Sequence, residues 1–98
     1  MIKVLIVEDS KAIQEFLDNI LSSDPDVLVA GVASSGYEAI ELLKIKKPDI
    51  ITIDINLSGM DGYETTRRIM ESFPTPIVII SGIENPKEVT NPYSMIRS

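Results

Sequence analysis

The chain contains no cysteine, no histidine and no tryptophan among its 98 residues. Without cysteine it can form neither disulfides nor thiolate zinc sites, and without histidine it lacks the usual imidazole acids, bases and metal ligands. Any nucleophile, acid or metal ligand must therefore be an oxygen-bearing side chain. The length suits one small domain, near the size at which burial of a core only just stabilises a fold.

Basic side chains are also scarce, since 9 lysines and arginines stand against 15 acidic residues, for a net charge of −6. This balance argues against non-specific nucleic-acid binding, which needs a basic face. No apolar run approaches the roughly 20 residues of a membrane span, and Lys3 followed by a strand-like run does not form a signal peptide. We expect a cytoplasmic protein that binds neither nucleic acid nor membrane.

Short apolar runs rich in β-branched residues alternate with amphipathic stretches, and this pattern indicates strands followed by helices. Ser10, the Ser35 capping box and Asp61 are predicted to begin the three helices. Regular alternation of strand and helix predicts right-handed crossovers and a parallel sheet, for which the flavodoxin-like doubly wound order 2-1-3-4-5 is the natural candidate. The predicted strands are 2–7, 27–33, 50–53 and 77–80.

Two of the predicted strands end in carboxylates. The first stops at Glu8 and Asp9, and the third stops at Asp54 before a glycine-rich turn. In the flavodoxin-like order these two strands are neighbours, so the three carboxylates would converge at one edge of the sheet. Like charges in one pocket need a cation, and oxygen ligands favour Mg²⁺ or Mn²⁺. Taken separately, Glu8 and Asp9 could cap the first helix, and Asp54 could form a turn.

Three spaced motifs resemble the receiver domain of two-component response regulators, over about residues 2–90. They are the first strand with its acidic pair, the third strand with the loop that follows it, and the fourth strand with its terminal hydroxyl and small residue. These motifs span residues 4–10, 48–62 and 77–82.

The resemblance implies that Asp54 accepts a phosphoryl group from a histidine kinase or a small phosphodonor. Asp9, Asp54 and the backbone carbonyl of Asn56 would coordinate Mg²⁺, with Glu8 helping through a water molecule. Ser81 would be the switch hydroxyl that hydrogen-bonds the phosphoryl group. Such a domain is not an enzyme, apart from catalysing its own phosphorylation and dephosphorylation.

Three further segments, residues 21–26, 69–71 and 74–78, resemble within the family the receiver of the chemotaxis protein-glutamate methylesterase, whose esterase would be a separate domain. The family's fifth strand ends in a lysine that, by the family's spacing, would lie beyond Ser98. Lys87 is too close to Ser81 to take its place. The sequence therefore predicts a C-terminally truncated receiver with the sheet order 2-1-3-4, in which the fifth strand and helix are missing. Its core would cover residues 1–84, and residues 85–98 would form an irregular or short-helical tail.

Loss of the fifth strand and helix is expected to leave apolar surface open, including Phe16 and Leu17 of the first helix and one edge of the fourth strand. Bare edges and apolar patches favour self-association, so we expect a homodimer or oligomer. Ser58 stands where the family usually has proline, and we expect it to loosen the turn after Asp54. Tyr63 and Phe73 are predicted to belong to the core.

Two other functions remain open at this stage. The chain could be a degenerate receiver that only mediates protein contacts, which the missing lysine favours. It could also be an aspartate-nucleophile phosphohydrolase. Such enzymes use a second acidic residue, two positions after the nucleophile, to transfer a proton, and Asn56 at that position can neither donate nor accept one.

Overall fold

The computed structural model describes residues 1–81 together with a short strand at 96–97. In this part of the chain, four strands alternate with three helices, and the short strand follows at the end. The elements are β1 (Ile2–Val7), α1 (Lys11–Ser22), β2 (Val27–Ala33), α2 (Gly36–Leu43), β3 (Ile50–Asp54), α3 (Gly62–Ser72), β4 (Ile77–Ile80) and β5 (Ile96–Arg97).

The strands form one sheet in the order β2-β1-β3-β4-β5. β1 pairs in parallel with both β2 and β3, and β3 pairs in parallel with β4. The flavodoxin-like fold and the predicted order 2-1-3-4 are thus confirmed. The short strand β5 was not predicted. It runs antiparallel to β4 and pairs with Ile79 and Ile80.

The three helices begin at the predicted residues. The side chains of Ser10, Ser35 and Asp61 each accept a hydrogen bond from the backbone N–H three residues further on. Each cap satisfies one of the N–H groups that have no partner within the first helical turn. The capping residues therefore set where each helix leaves the edge of the sheet.

The core lies in two layers, one on each face of the sheet, because successive strand side chains point to opposite faces. One layer joins the sheet to α2 and α3, and the other joins it to α1. Buried side chains of the first layer include Leu5, Val7, Ala39, Leu43, Ile51, Ile53 and Ile69. Those of the second layer are Val4, Ile6, Ile13, Leu17 and Ile80.

Three expectations about exposed and buried surface need correction. Leu17 is only 7% exposed and Phe16 is partly buried, because both pack against the second core layer. The edge of β4 is paired with β5 at Ile79 and Ile80, since a bare strand edge readily takes up another strand. Tyr63 is 61% exposed rather than in the core.

These corrections remove part of the basis for self-association, which stays a prediction. Phe73 does pack against the first core layer, as expected. The predicted tail lies outside the described residues, except for β5 at its end. Among the described residues, no helix is both long enough and apolar enough to span a bilayer.

Candidate metal and phosphoacceptor site

The register of the sheet brings the predicted carboxylates together. Val7 at the end of β1 pairs with Ile53, so Glu8 and Asp9 emerge beside Asp54, the last residue of β3. One oxygen from each of the three carboxylates lies within 4.8 Å of the others. Because all three follow parallel strands, the resulting acidic pocket sits at the carboxyl edge of the sheet, where α/β proteins bind ligands.

Glu8 lies at the bottom of the acidic pocket and is only 2% exposed. Its Oε2 accepts a hydrogen bond of 2.9 Å from the N–H of Ser10, and its backbone carbonyl accepts one from Gln14 Nε2. Burial raises the pKa of Glu8 to about 8, against the opposing effect of the Ser10 N–H. Interactions with Asp9 and Asp54 contribute to the same rise, so the carboxyl group favours a proton over an uncompensated charge.

Asp9 has a different environment at the mouth of the pocket. Its Oδ2 accepts two hydrogen bonds from Ser58, one from the hydroxyl at 2.6 Å and one from the backbone N–H at 3.2 Å. The hydroxyl of Ser58 lowers the pKa of Asp9, because hydrogen bonds to the charged form stabilise it. Ser58 thus ties the loop to Asp9, and the expected loosening of the turn relative to proline stays a prediction.

Asp54 is oriented by the turn that follows it. The backbone N–H of Asn56 donates to Asp54 Oδ1 at 3.0 Å, and the N–H of Ile55 donates to the carbonyl of Ile80 at 3.0 Å. Because Ile80 pairs with Asp54 across the sheet, Ser81 follows at the same edge as the carboxylates. The predicted acceptor, the predicted metal ligands and the predicted switch hydroxyl thus share one end of the fold.

The packing of α3 against this turn places a demand on Gly62. A Cβ at Gly62 would lie 2.6 Å from the carbonyl oxygen of Asp54 and 2.7 Å from the Cα of Ile55. Both are backbone atoms and cannot swing aside. Only a residue without a side chain lets the start of α3 approach Asp54 this closely.

The donor set fits a hard divalent cation. It consists of carboxylate oxygens, and one of the carboxylates is buried with a strongly raised pKa. The ion pairs of the described residues lie on the surfaces of α2 and α3 and leave these three carboxylates without a basic partner. Glu8, Asp9 and Asp54, with Asn56 two residues further on, are the residues that could hold Mg²⁺ or Mn²⁺.

The carboxylates were predictable from the sequence, whereas the hydrogen bonds of Ser58 to Asp9 were not. The carboxylates follow apolar runs, which is a strong signal for a strand end. An exposed serine in a loop has no such signal. Its position within the turn after Asp54 was the available clue, because that turn borders the predicted ligands.

A doubly wound sheet with an acidic pocket at its carboxyl edge defines a class of α/β domain that binds its ligand where the strands end. Residues 4–95 match the family described as the response regulator receiver domain. The chain belongs to this family, whose members bind Mg²⁺ at an acidic pocket and interact with histidine kinases in two-component signalling.

Relatives at the level of sequence are protein-glutamate methylesterase/protein-glutamine glutaminases. That of Syntrophus aciditrophicus is 60% identical over 81 residues, which are 83% of this chain and 23% of the relative. That of Nitrosospira multiformis is 50% identical over 96 residues, which are 98% of this chain and 27% of the relative. The chain thus spans about a quarter of the length of these curated relatives.

The chain is also similar to solved structures of receiver domains. The response regulator domain of Thermotoga maritima CheB matches with a TM-score of 0.80 and 38% identity, covering 87% of this chain and 63% of that chain. The signal receiver domain of a modulated diguanylate cyclase from Desulfovibrio desulfuricans matches with a TM-score of 0.78 and 34% identity, covering 89% of this chain and 70% of that one. The chain is a receiver domain similar to that of CheB.

Proposed function

We propose that this receiver accepts a phosphoryl group on Asp54 from the phosphohistidine of a kinase, in a reaction that depends on Mg²⁺ or Mn²⁺. One observation carries the proposal. One oxygen from each of the carboxylates of Glu8, Asp9 and Asp54 lies within 4.8 Å of the others at the carboxyl edge of the sheet, where Ser81 directly follows β4. A nucleophile, a metal-binding set and a hydroxyl donor are thus available in one place.

The transfer is an in-line displacement at phosphorus. A carboxylate oxygen of Asp54 forms a bond to phosphorus while the bond from phosphorus to the donor imidazole nitrogen breaks, and that nitrogen keeps the electron pair. The N–H of Asn56 holds Asp54 Oδ1, which orients the carboxylate and leaves its second oxygen to attack. Mg²⁺, when bound, supplies charge neutralisation for the phosphoryl oxygens.

The other residues of the pocket have supporting roles in this proposal. Asp9 and Asp54 would ligate the ion together with the carbonyl of Asn56, and Glu8 would act through a water molecule. Ser81 donates a hydrogen bond to the phosphoryl group and so reports its presence. The domain itself is proposed to be a phosphoacceptor that catalyses only its own phosphorylation and dephosphorylation.

The wider role follows from the similarity to the methylesterase receivers. In a longer protein, phosphorylation of Asp54 would regulate an output domain that lies outside this receiver. The partner would be a histidine kinase, and the proposed site of action is the cytoplasm. Phosphohydrolase activity is less well supported, because Asn56 offers no acidic group at the position where such an enzyme would use one.

Incubation with acetyl phosphate and MgCl₂, followed by intact-protein mass spectrometry, tests the proposal. We expect one phosphoryl adduct on the wild-type protein and none on Asp54→Asn. Asp26→Asn serves as the matched control, because it removes one exposed carboxylate just before β2, at the opposite end of the sheet.

The outcomes separate the three functions. A stable adduct that depends on Asp54 supports the phosphoacceptor. Continuous release of phosphate without an accumulating adduct identifies a phosphohydrolase. Absence of both from a folded wild-type protein identifies a receiver that only mediates protein contacts.

A further inference from the structure

The loop after β3 holds Ser58 in a defined position. Leu57 and Met60, the neighbours on either side of the turn, are each only 5% exposed. Between them, Gly59 takes a positive φ of 74°, a conformation that favours glycine. At its start, the N–H of Asn56 is bonded to Asp54. A loop anchored at both ends presents its central serine with little freedom.

Ser58 uses both of its donors on a single acceptor atom. The hydroxyl and the backbone N–H both reach Asp9 Oδ2, at 2.6 and 3.2 Å. These contacts link residues 49 positions apart in the chain. They fix the rotation of a carboxylate that is otherwise exposed at the mouth of the pocket.

We propose that Ser58 is a positioning residue for the metal ion, which holds one oxygen of Asp9 and thereby presents the other to the pocket. The inference rests on the proposed function, because it concerns the same pocket. It assigns to the loop a role in metal affinity, beyond the role of Asp54 as acceptor.

The physical reason lies in the freedom of the Asp9 side chain. An exposed aspartate samples several rotamers, and binding a metal ion must select one of them. Hydrogen bonds to the non-ligating oxygen make this selection before the ion arrives. Residues that orient a ligand in this way change metal affinity by about 10- to 100-fold when they are lost. Because Asp9 and Ser58 are exposed, we expect the lower end of this range.

Calorimetric titration with MgCl₂ tests this inference on three variants and the wild type. Ser58→Ala removes the hydroxyl and keeps the N–H, and we expect its dissociation constant for Mg²⁺ to rise about tenfold. Ser58→Thr keeps both donors, and we expect affinity within about twofold of the wild type. Ser22→Ala is the matched control, because Ser22 also donates its hydroxyl to an aspartate, Asp18, but at the far end of α1.

The results distinguish this inference from the proposed function. Equal or tighter Mg²⁺ binding by Ser58→Ala, with the wild type binding normally, overturns the role of Ser58 alone. Absence of Mg²⁺ binding by the wild type overturns both the metal dependence and this inference. Equal melting temperatures of the variants without metal show that a loss of affinity comes from the pocket rather than from the fold.

Discussion

The adjacent carboxylates of Glu8 and Asp9 have pKa values shifted in opposite directions, because their surroundings differ. Glu8 is buried and its pKa is raised to about 8, whereas Asp9 is exposed and hydrogen-bonded by Ser58, so its pKa is lowered. At neutral pH without metal, Glu8 favours its proton and Asp9 favours its charge. The pocket therefore carries less negative charge than its three carboxylates suggest, and a cation would displace the proton of Glu8.

Thr52 in β3 carries a buried hydroxyl that has no hydrogen-bond partner among the described residues. Its strand neighbours Ile6 and Val78 belong to the core layer facing α1, so the hydroxyl lies in apolar surroundings. We expect Thr52→Val to raise the free energy of unfolding by about 1 kcal/mol, because it removes an unsatisfied polar group. The corresponding rise in melting temperature is about 4–8 °C.

The same substitution at Thr65 provides the control for this prediction. The hydroxyl of Thr65 is buried too, but it donates to the carbonyl of Asp61 at 2.8 Å. Thr65→Val should therefore lower the free energy of unfolding by about 1 kcal/mol. If denaturant unfolding shows that both variants are destabilised, the Thr52 hydroxyl makes a stabilising hydrogen bond and the prediction is wrong.

At the scale of elements, the contact between α3 and the end of β3 is the most constrained. Gly62 opens α3, where helix propensity alone would favour alanine by about 1 kcal/mol. The close approach of Gly62 to the backbone of Asp54 instead disfavours alanine at this position. We expect Gly62→Ala to lower the free energy of unfolding by about 1–3 kcal/mol, as for other overpacked sites, and to slow phosphorylation of Asp54.

Gly31→Ala is the matched variant, because its Cβ would meet the flexible side chain of Lys46 at 3.3 Å. It should leave phosphorylation unchanged and alter stability less than Gly62→Ala. Denaturant unfolding and the acetyl phosphate reaction together measure both effects. A Gly62→Ala protein of wild-type stability and reactivity would show that α3 can shift without moving Asp54.

The elements themselves were largely predictable from local patterns. Apolar runs located four strands, and the caps at Ser10, Ser35 and Asp61 located the helix starts. Tyr63 was placed wrongly because it lies in the first turn of α3, where helical spacing alone does not distinguish a core-facing from a solvent-facing aromatic. Leu17 was expected to be exposed because the family's fifth helix would cover it. It is buried because α1 itself packs on the sheet.

At the scale of the whole molecule, topology made the site predictable in outline. Once β1 and β3 were assigned as parallel neighbours, Glu8, Asp9 and Asp54 had to meet. The contacts of Ser58 and the close approach at Gly62 could not be predicted in this way, because they depend on the three-dimensional path of a loop. Neither residue follows a periodic pattern that would signal its role.

The stability of the whole domain should couple to pH and to Mg²⁺ through Glu8. Its folded pKa of about 8 exceeds its ordinary value of 4.5, so the folded state holds a proton that the unfolded state releases. Stability therefore falls as the pH rises from about 4.5 to about 8 when no metal is present. Bound Mg²⁺ would replace that proton, so its stabilising effect should be larger near the top of this range than near the bottom. Thermal unfolding with EDTA or MgCl₂ across this range measures both trends.

The variant Glu8→Gln tests whether Glu8 is the group responsible. It should weaken both the dependence of stability on pH and the dependence of the Mg²⁺ effect on pH. An unchanged pH profile in that variant would assign the coupling to other carboxylates.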